Sequence, residues 1–280
     1  MKEPTFVVRD GHRAWLKWHR ARRRRTDAVF TGARIREGMA IGASIEVDLV
    51  VHADHGFAVL HDEVLGREAT GNGPVAQASA ESLRAQFIIG NDGRPTTEPV
   101  RLLEDLAGLL ADTGIHPDAL LQLDYKLDAR ALTPQTIDGF AQSVAPVAGH
   151  MILSSGDAAS VRLLCAAAPG IRVGYDPCHD GALERVSQSR DFEGFVNSAV
   201  ISSPDAELIY LAHPLITGAA AMGFDMVAAF HAQGRRVDAY TIATADAAGL
   251  TVARRLLELR VDQITTDDPE ALAAALDGDN

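Results

Sequence analysis

Short apolar runs alternate with amphipathic stretches along most of the chain. Eight of these runs have the length of buried strands, at residues 14–19, 44–51, 120–125, 150–154, 171–175, 207–212, 236–241 and 262–265. Between them, apolar residues recur at helical spacing, at residues 32–41, 98–112, 134–147, 157–168, 216–233, 244–259 and 269–276. Because strand and helix alternate eight times, the pattern predicts an α/β fold of the (β/α)8 TIM-barrel type.

Two segments lie outside this alternation. Residues 5–19 predict an N-terminal β-hairpin with Asp10 and Gly11 at its turn. Residues 62–97 form a long excursion after the second strand, and their Gly-rich turns predict a small cap at the barrel mouth. No long linker interrupts the chain, and its 280 residues are close to the ~250 typical of one barrel. We therefore expect a single TIM-barrel domain over residues 1–280.

The composition of the chain limits which classes of molecule it is expected to bind. The chain carries 26 basic and 38 acidic residues, a formal net charge of −12, which argues against general nucleic-acid binding. Residues 1–25 nevertheless hold nine Lys or Arg against two acids and could attract a small anionic substrate. Two cysteines match neither a disulfide framework nor a zinc pattern. No leader or long apolar run is evident, so we expect a cytoplasmic protein without stable membrane insertion.

Two strands carry charged residues at alternate positions. Glu46 and Asp48 share one face of the second strand, and Asp124 and Lys126 repeat this spacing on the third. Carboxylates facing a barrel interior need neutralisation, and a divalent cation such as Mg²⁺ or Ca²⁺ supplies it. The alternative is an edge strand with its acids in water, and a surface ion pair between Asp124 and Lys126.

Histidines follow two of the predicted strands. His19 and Arg20 end the first strand, where a barrel enzyme places its working groups. His61 follows a strand that returns from a turn at residues 54–56, while His52 and His55 at this turn are expected in solvent. A lone histidine is more often structural than catalytic. Arg20 suits a phosphate oxygen, and the basic run behind it is either a solvated face or a loop that attracts phosphate.

In order and spacing these motifs resemble the glycerophosphodiester phosphodiesterase family, a barrel family related to phosphoinositide-specific phospholipase C. The resemblance covers nearly the whole chain and rests on the motifs His19-Arg20-Ala21, Glu46-x-Asp48, His61-Asp62, Asp124-x-Lys126, Tyr240-Thr241 and Ile264-x-Thr266-Asp267-x-Pro269. Three residues depart from the family pattern: Ala21 replaces a glycine, Asp124 a glutamate and Tyr240 a tryptophan. The family's Pro-Glu-Asn-Thr after the first strand is absent as well.

The resemblance implies a metal-dependent phosphoric diester hydrolase of glycerol and lipid metabolism. By this similarity, one Mg²⁺ or Ca²⁺ ion is held by Glu46, Asp48 and Asp124. His19 and His61 act as general base and general acid, in an order that the sequence leaves open. Arg20 and Lys126 stabilise charge on the phosphate. The products would be glycerol 3-phosphate and an alcohol.

Two alternatives remain open from the sequence. One is a phospholipase-D-like lyase that acts on a lysophospholipid headgroup and releases a cyclic phosphate. The other is a barrel that binds a phosphorylated ligand without turnover. His179, His213 and Tyr240 fall near strand ends, where each could line the pocket or be structural. The sequence predicts neither the headgroup nor the oligomeric state.

Overall fold

The computed structural model describes residues 3–277. The strands in this range are β1 Phe6–Arg9, β2 His12–Trp18, β3 Ser44–Val51, β4 Phe57–Val59, β5 Val64–Leu65, β6 Gly73–Pro74, β7 Phe87–Ile89, β8 Pro95–Pro99, β9 Leu120–Tyr125, β10 Met151–Ser155, β11 Arg172–Tyr175, β12 Leu208–Ala212, β13 Arg236–Ile242 and β14 Gln263–Thr266. The helices are α1 Gly32–Ile41, α2 Ala80–Arg84, α3 Leu103–Ala111, α4 Pro134–Val144, α5 Ala158–Ala167, α6 Ala182–Ser189, α7 Phe192–Ser202, α8 His213–Ala221, α9 Met226–Ala232, α10 Ala247–Glu258 and α11 Pro269–Asp277.

Eight parallel strands close into a barrel, which confirms the predicted TIM-barrel fold. The order around the barrel is β2, β3, β9, β10, β11, β12, β13 and β14, and β14 pairs back to β2. All eight residues of β3 are buried, as expected for a parallel strand covered on both faces. The carboxyl ends of the barrel strands therefore meet at one rim.

The N-terminal hairpin leads directly into the barrel. β1 pairs antiparallel with β2, with Phe6 opposite Trp15 and Arg9 opposite His12. Asp10 and Gly11 form the two-residue turn with φ of 48° and 75°, the positive values that such tight hairpins require. β2 thus serves both as the second hairpin strand and as the first barrel strand, and it carries the chain to His19 at the rim.

Helices pack around the barrel over two clusters of buried apolar residues. One cluster lies beneath α1, α3 and α4, and the other beneath α7 to α11. Local signals set the helix ends: the Thr31 hydroxyl caps α1 by accepting from the Arg34 N–H, and Gly42 ends it with φ of 84°. The rim therefore rests on two closely packed apolar clusters.

Several predicted helices differ from those observed. The stretch 98–112 begins as a helix only at Leu103, because residues 95–99 pair with β7. The stretch 216–233 divides into α8 and α9, which meet at a bend of 103°. α6 and α7 were not predicted. Within the described range, no single helix is long and apolar enough to cross a membrane, although α8 and α9 together pass that test by length and composition.

The segment between β4 and α3 folds into two small hairpins, β5–β6 and β7–β8, joined by α2. At the β3–β4 turn, His55 is exposed, as expected, with φ of 61°. The expectation that His52 lies in solvent is wrong, since only 4% of His52 is exposed. Its ring packs against Gly56, where a Cβ would overlap it, and burial lowers the pKa of the imidazole.

Candidate active site

A cavity of about 220 Å³ opens at the carboxyl ends of the barrel strands. It is lined by all seven residues to which the sequence analysis gave a catalytic or metal-binding role, which are His19, Arg20, Glu46, Asp48, His61, Asp124 and Lys126. Lys17, Gln122, Asp176, His179, Tyr210, Tyr240, Thr241 and Thr265 complete the lining. Residues distant in the chain thus meet in one cavity, because barrel strands and the segments that follow them converge at this end of the barrel.

Three carboxylates converge on one side of this cavity. Glu46 and Asp48 point the same way from β3, and the β3–β9 register sets Asp124 beside Asp48. One oxygen of each carboxylate lies within 4.8 Å of the others. Glu46 is 5% exposed and Asp48 1% exposed, so neither charge is dispersed by water. We call Glu46, Asp48 and Asp124 the carboxylate wall.

The carboxylate wall fits a divalent cation. Burial and the neighbouring charge of Glu46 raise the pKa of Asp48 to about 7. Asp48 Oδ2 is buried and accepts no hydrogen bond from any residue in the described range. Clustered carboxylate oxygens are the hard ligands that Mg²⁺ and Ca²⁺ prefer. The residues present therefore suit the metal that the sequence motifs imply.

Two cations of the chain already contact this wall. Lys126 Nζ donates to Asp124 Oδ2 at 2.7 Å and lies 2.9 Å from Asp48 Oδ1. Burial opposes its charge, but the carboxylates of Asp124 and Asp48 raise the pKa of Lys126. The same ammonium holds the pKa of Asp124 low, although burial alone would raise it.

Arg20 crosses the rim in a left-handed conformation with φ of 52°. This backbone turn directs its N–H to Glu46 Oε2 at 2.7 Å. Its guanidinium donates to Glu68 Oε1 at 3.1 Å, and Nε lies 3.4 Å from Asp48 Oδ2. Arg20 thereby links the first loop to the carboxylate wall and to the excursion after β4.

Each of the two motif histidines is oriented by an aspartate. His19 Nδ1 lies 2.6 Å from Asp267 Oδ1, and His61 Nδ1 lies 3.0 Å from Asp62 Oδ1. An ionised carboxylate can only accept, so Nδ1 carries the hydrogen in each pair and Nε2 is left to exchange a proton with a ligand. The motifs contained both aspartates, but the sequence alone did not assign them a partner.

The two aspartates stay ionised for different reasons. Burial would raise the pKa of Asp267, but the hydrogen bond from His19 and the charge of Arg22 hold it below its ordinary value. For Asp62, the hydrogen bond from Arg67 and that from His61 lower the pKa to about 2. Both orienting carboxylates therefore keep their charge at neutral pH.

A buried polar chain beneath the cavity supports the third carboxylate. Ser154 Oγ donates to Asp124 Oδ1 at 2.6 Å and accepts from Gln122 Nε2 at 2.8 Å. Gln122 in turn accepts from Lys17, whose ammonium lies 3.2 Å from Asp238 Oδ2. The sequence analysis did not predict this series of buried hydrogen bonds. Its only signal is a polar residue at alternate positions within otherwise apolar strands.

The opposite side of the cavity carries a second polar group, Asp176, His179 and Tyr240, which we call the tyrosine wall. Tyr240 Oη donates to Asp176 Oδ1 at 3.2 Å, and His179 Nε2 lies 3.0 Å from Asp176 Oδ2. His213, a third residue near a strand end, does not line the cavity. Burial lowers the pKa of His213, as for an imidazole packed in a helix start.

The basic run after Arg20 is paired within the protein. Arg22 contacts Asp267, Arg23 contacts Glu37 and Glu270, and Arg24 contacts Glu270. These ion pairs fasten the first loop to α1 and α11. Much of the positive charge of Arg22, Arg23 and Arg24 is therefore neutralised by the chain itself, while Arg24 and Arg25 are exposed.

Comparison with known proteins identifies one family. The model of the "Glycerophosphoryl diester phosphodiesterase family" matches residues 31–271. No curated protein matches the chain. The matched range begins after His19 and Arg20, so the correspondence of these two residues rests on their motif and on their position in the cavity.

Solved structures of similar fold cover nearly the whole chain. A glycerophosphodiester phosphodiesterase from Agrobacterium tumefaciens is 20% identical, with 93% of this chain and 99% of that chain covered and a TM-score of 0.65. An Oleispira antarctica phosphodiesterase in complex with the product sn-glycerol-3-phosphate is 18% identical, with 94% and 96% covered and a TM-score of 0.65. A Parabacteroides distasonis glycerophosphoryl diester phosphodiesterase is 16% identical, with 98% and 90% covered and a TM-score of 0.65. At identities of 16–20%, the similarity to these structures establishes the fold and nothing more.

Proposed function

Because the chain belongs to the glycerophosphoryl diester phosphodiesterase family and is a phosphoric diester hydrolase, we propose that it cleaves a glycerophosphodiester to glycerol 3-phosphate and an alcohol, with a bound divalent metal and two histidines. One observation carries this proposal: a single cavity joins three clustered carboxylates to two histidines that are each oriented by an aspartate. The related Oleispira antarctica structure, which holds sn-glycerol-3-phosphate, supports the same substrate class.

Glu46, Asp48 and Asp124 would hold the metal, Mg²⁺ or Ca²⁺. When bound, the ion supplies Lewis-acid polarisation of a phosphate oxygen and a template for the substrate. The protein contributes the preformed cluster, because Ser154 and Lys126 hold the Asp124 carboxylate and the Arg20 N–H holds that of Glu46. This support keeps the ligands in position before metal and substrate arrive.

The histidines move the protons of the reaction. In our assignment, His19 Nε2 takes the proton from the attacking hydroxyl as its oxygen forms a bond to phosphorus. The bond from phosphorus to the leaving alcohol then breaks, and that oxygen takes a proton from His61 Nε2. Each transfer contributes about 10²–10⁴-fold to the rate. The attacking hydroxyl belongs to water or to the substrate's own neighbouring alcohol.

Arg20 and Lys126 place positive charge beside the phosphate. Both groups line the cavity and contact the carboxylate wall, so they are held in place before the substrate binds. Charge that grows on the non-bridging oxygens during attack is stabilised by donors already oriented towards it.

The test is a metal-supplemented assay with product identification. The purified protein is incubated with glycerophosphoglycerol, glycerophosphocholine and a lysophospholipid, in Mg²⁺, in Ca²⁺ and in excess chelator. We expect glycerol 3-phosphate in the presence of metal and none in chelator. Full activity in chelator would contradict the metal assignment, and release of a cyclic phosphate as the final product would identify a lyase instead.

A further inference from the structure

A third histidine–aspartate pair faces the cavity from the tyrosine wall. His179 follows β11, and its Nε2 lies 3.0 Å from Asp176 Oδ2. The other oxygen, Asp176 Oδ1, accepts from Tyr240 Oη at 3.2 Å and from the Cys178 N–H at 2.8 Å. Asp176 is only 7% exposed, and three donors satisfy its carboxylate. This aspartate therefore has a fixed position from which it orients the imidazole.

The ring of His179 is also held by packing. Gly156, the residue after β10, lies directly against it, so that a Cβ at residue 156 would overlap the ring. The His179 side chain nevertheless remains 46% exposed. Since Nε2 is bonded to Asp176, Nδ1 is the ring atom left for a ligand, and it has no hydrogen-bond partner among residues 3–277.

His179 lies where three cavities meet. It lines the 220 Å³ catalytic cavity, a neighbouring cavity of about 370 Å³ beside Tyr175 and Arg185, and a groove of about 770 Å³ beside Lys126 and Asp157. Ligand pockets are usually about 300–1,000 Å³, so the catalytic cavity alone is small for both arms of a diester. His179 therefore borders the space into which an arm can extend from the catalytic cavity.

We propose that His179, oriented by Asp176 and Tyr240, is a specificity-determining residue that binds a hydroxyl of the leaving alcohol and so selects diesters with polyol headgroups. The proposal rests on the proposed function, because it concerns the second arm of the same substrate. Neither His19 nor His61 is needed for this contact.

The chemistry of the free ring atom favours a hydroxyl over other headgroups. A neutral imidazole bonded through Nε2–H offers a lone pair at Nδ1, and a charged one offers a hydrogen there. A hydroxyl can donate to the first and accept from the second, so the contact survives either protonation state. A quaternary ammonium offers neither donor nor acceptor to this atom.

The hydrogen bond to Asp176 raises the pKa of His179, against the opposing effect of burial. The surrounding charges act in both directions, since Asp124 favours the charged ring and Lys126 disfavours it. The selection of hydroxyls therefore rests on the geometry of the ring, held by Asp176 and Gly156 beside the adjoining cavities, and not on its charge.

The experiment compares two substrates across matched variants. KM and kcat are measured for glycerophosphoglycerol and glycerophosphocholine with the metal-loaded wild type, His179→Ala and His179→Asn. We expect His179→Ala to raise KM for glycerophosphoglycerol by about tenfold, as for the loss of one hydrogen bond. KM for glycerophosphocholine and both kcat values should change by less than about twofold. The Asn variant keeps a polar group near the Nδ1 position and should recover part of the loss.

Gly156→Ala provides an independent variant that retains the imidazole. It displaces the ring rather than deleting it and should give the same substrate-selective rise in KM. Thermal unfolding of each variant checks that the fold is intact.

Equal changes in KM for both substrates, or no change in either, would overturn the proposal while the diesterase activity stood. If the metal-loaded wild type cleaved neither diester, the proposed function would fail, and this inference with it.

Discussion

The two walls of the cavity differ in how their carboxylates are balanced by neighbouring donors and cations. On the carboxylate wall, three acids share one small volume, and a buried oxygen of Asp48 has no hydrogen bond from the described residues. On the tyrosine wall, the single carboxylate of Asp176 accepts from Tyr240, His179 and Cys178. The first wall gathers three carboxylates around two cations of the chain, Lys126 and Arg20, whereas the second holds one carboxylate that three donors satisfy. We infer that the first wall supports the chemistry and that the second supports recognition.

This contrast predicts that activity depends steeply on one wall and mildly on the other. Variants on the carboxylate wall should change kcat and metal affinity together. Variants on the tyrosine wall should change KM for particular substrates. Four sets of variants test this division, and they follow in order of decreasing expected effect.

Removal of the metal should have the largest effect. Chelation, or Asp48→Asn, should lower the rate by on the order of 10³-fold or more, because Lewis-acid stabilisation worth several kcal/mol is lost. Calorimetric titration with Mg²⁺ and Ca²⁺ should show weaker binding to Asp48→Asn. An unchanged metal affinity in this variant would place the ion elsewhere.

Loss of either motif histidine should come next. His19→Ala and His61→Ala should each lower kcat by about 10²–10⁴-fold, because a proton transfer is lost. A diester with an activated leaving group such as p-nitrophenol separates the roles, since it needs no general acid. It should restore much of the rate to the acid variant only, which in our assignment is His61→Ala. Rescue of His19→Ala instead would reverse the assignment.

The orienting aspartates should matter less than the histidines. Asp267→Asn and Asp62→Asn should each lower kcat by about 10–100-fold, a typical cost for losing an outer-shell partner. The Asp62 pKa of about 2 keeps this carboxylate ionised above pH 4, so Asp62 should not shape the pH profile of the wild type there. A profile of kcat between pH 4 and 9 tests this, and an acidic limb lost only in Asp62→Asn would contradict it.

The smallest effect should come from the tyrosine wall. Tyr240→Phe removes one of the three donors to Asp176 and leaves the ring in place. We expect a rise of about two- to threefold in KM for a polyol diester, with kcat and metal affinity unchanged, since one partly exposed hydrogen bond is worth about 0.5–1 kcal/mol. A large fall in kcat would move Tyr240 into the reaction itself and end the division between the walls.

Much of the barrel could be predicted because its signals are local. The ends of each barrel strand differ by at most two residues from those of the apolar run that predicted it. The Asp10-Gly11 turn also marks the first hairpin. The two-residue period of a strand was likewise enough to predict that Glu46 and Asp48 share one face. The predictions were wrong where neighbours overrode pattern: residues 95–99 pair as a strand, and His52 is buried against Gly56.

The eight barrel strands, the fold and the charged residues near the ends of the first three barrel strands could be predicted from the sequence, because side-chain periodicity follows backbone geometry. Which side chains contact one another depends on the tertiary structure. It paired His19 with Asp267 across 248 positions and Tyr240 with Asp176 across 64. It also brought His179 to the junction of three cavities. Closure of the barrel makes these contacts, because it brings strand ends that are far apart in the sequence to one rim. A local sequence pattern does not show which of these strand ends will be neighbours.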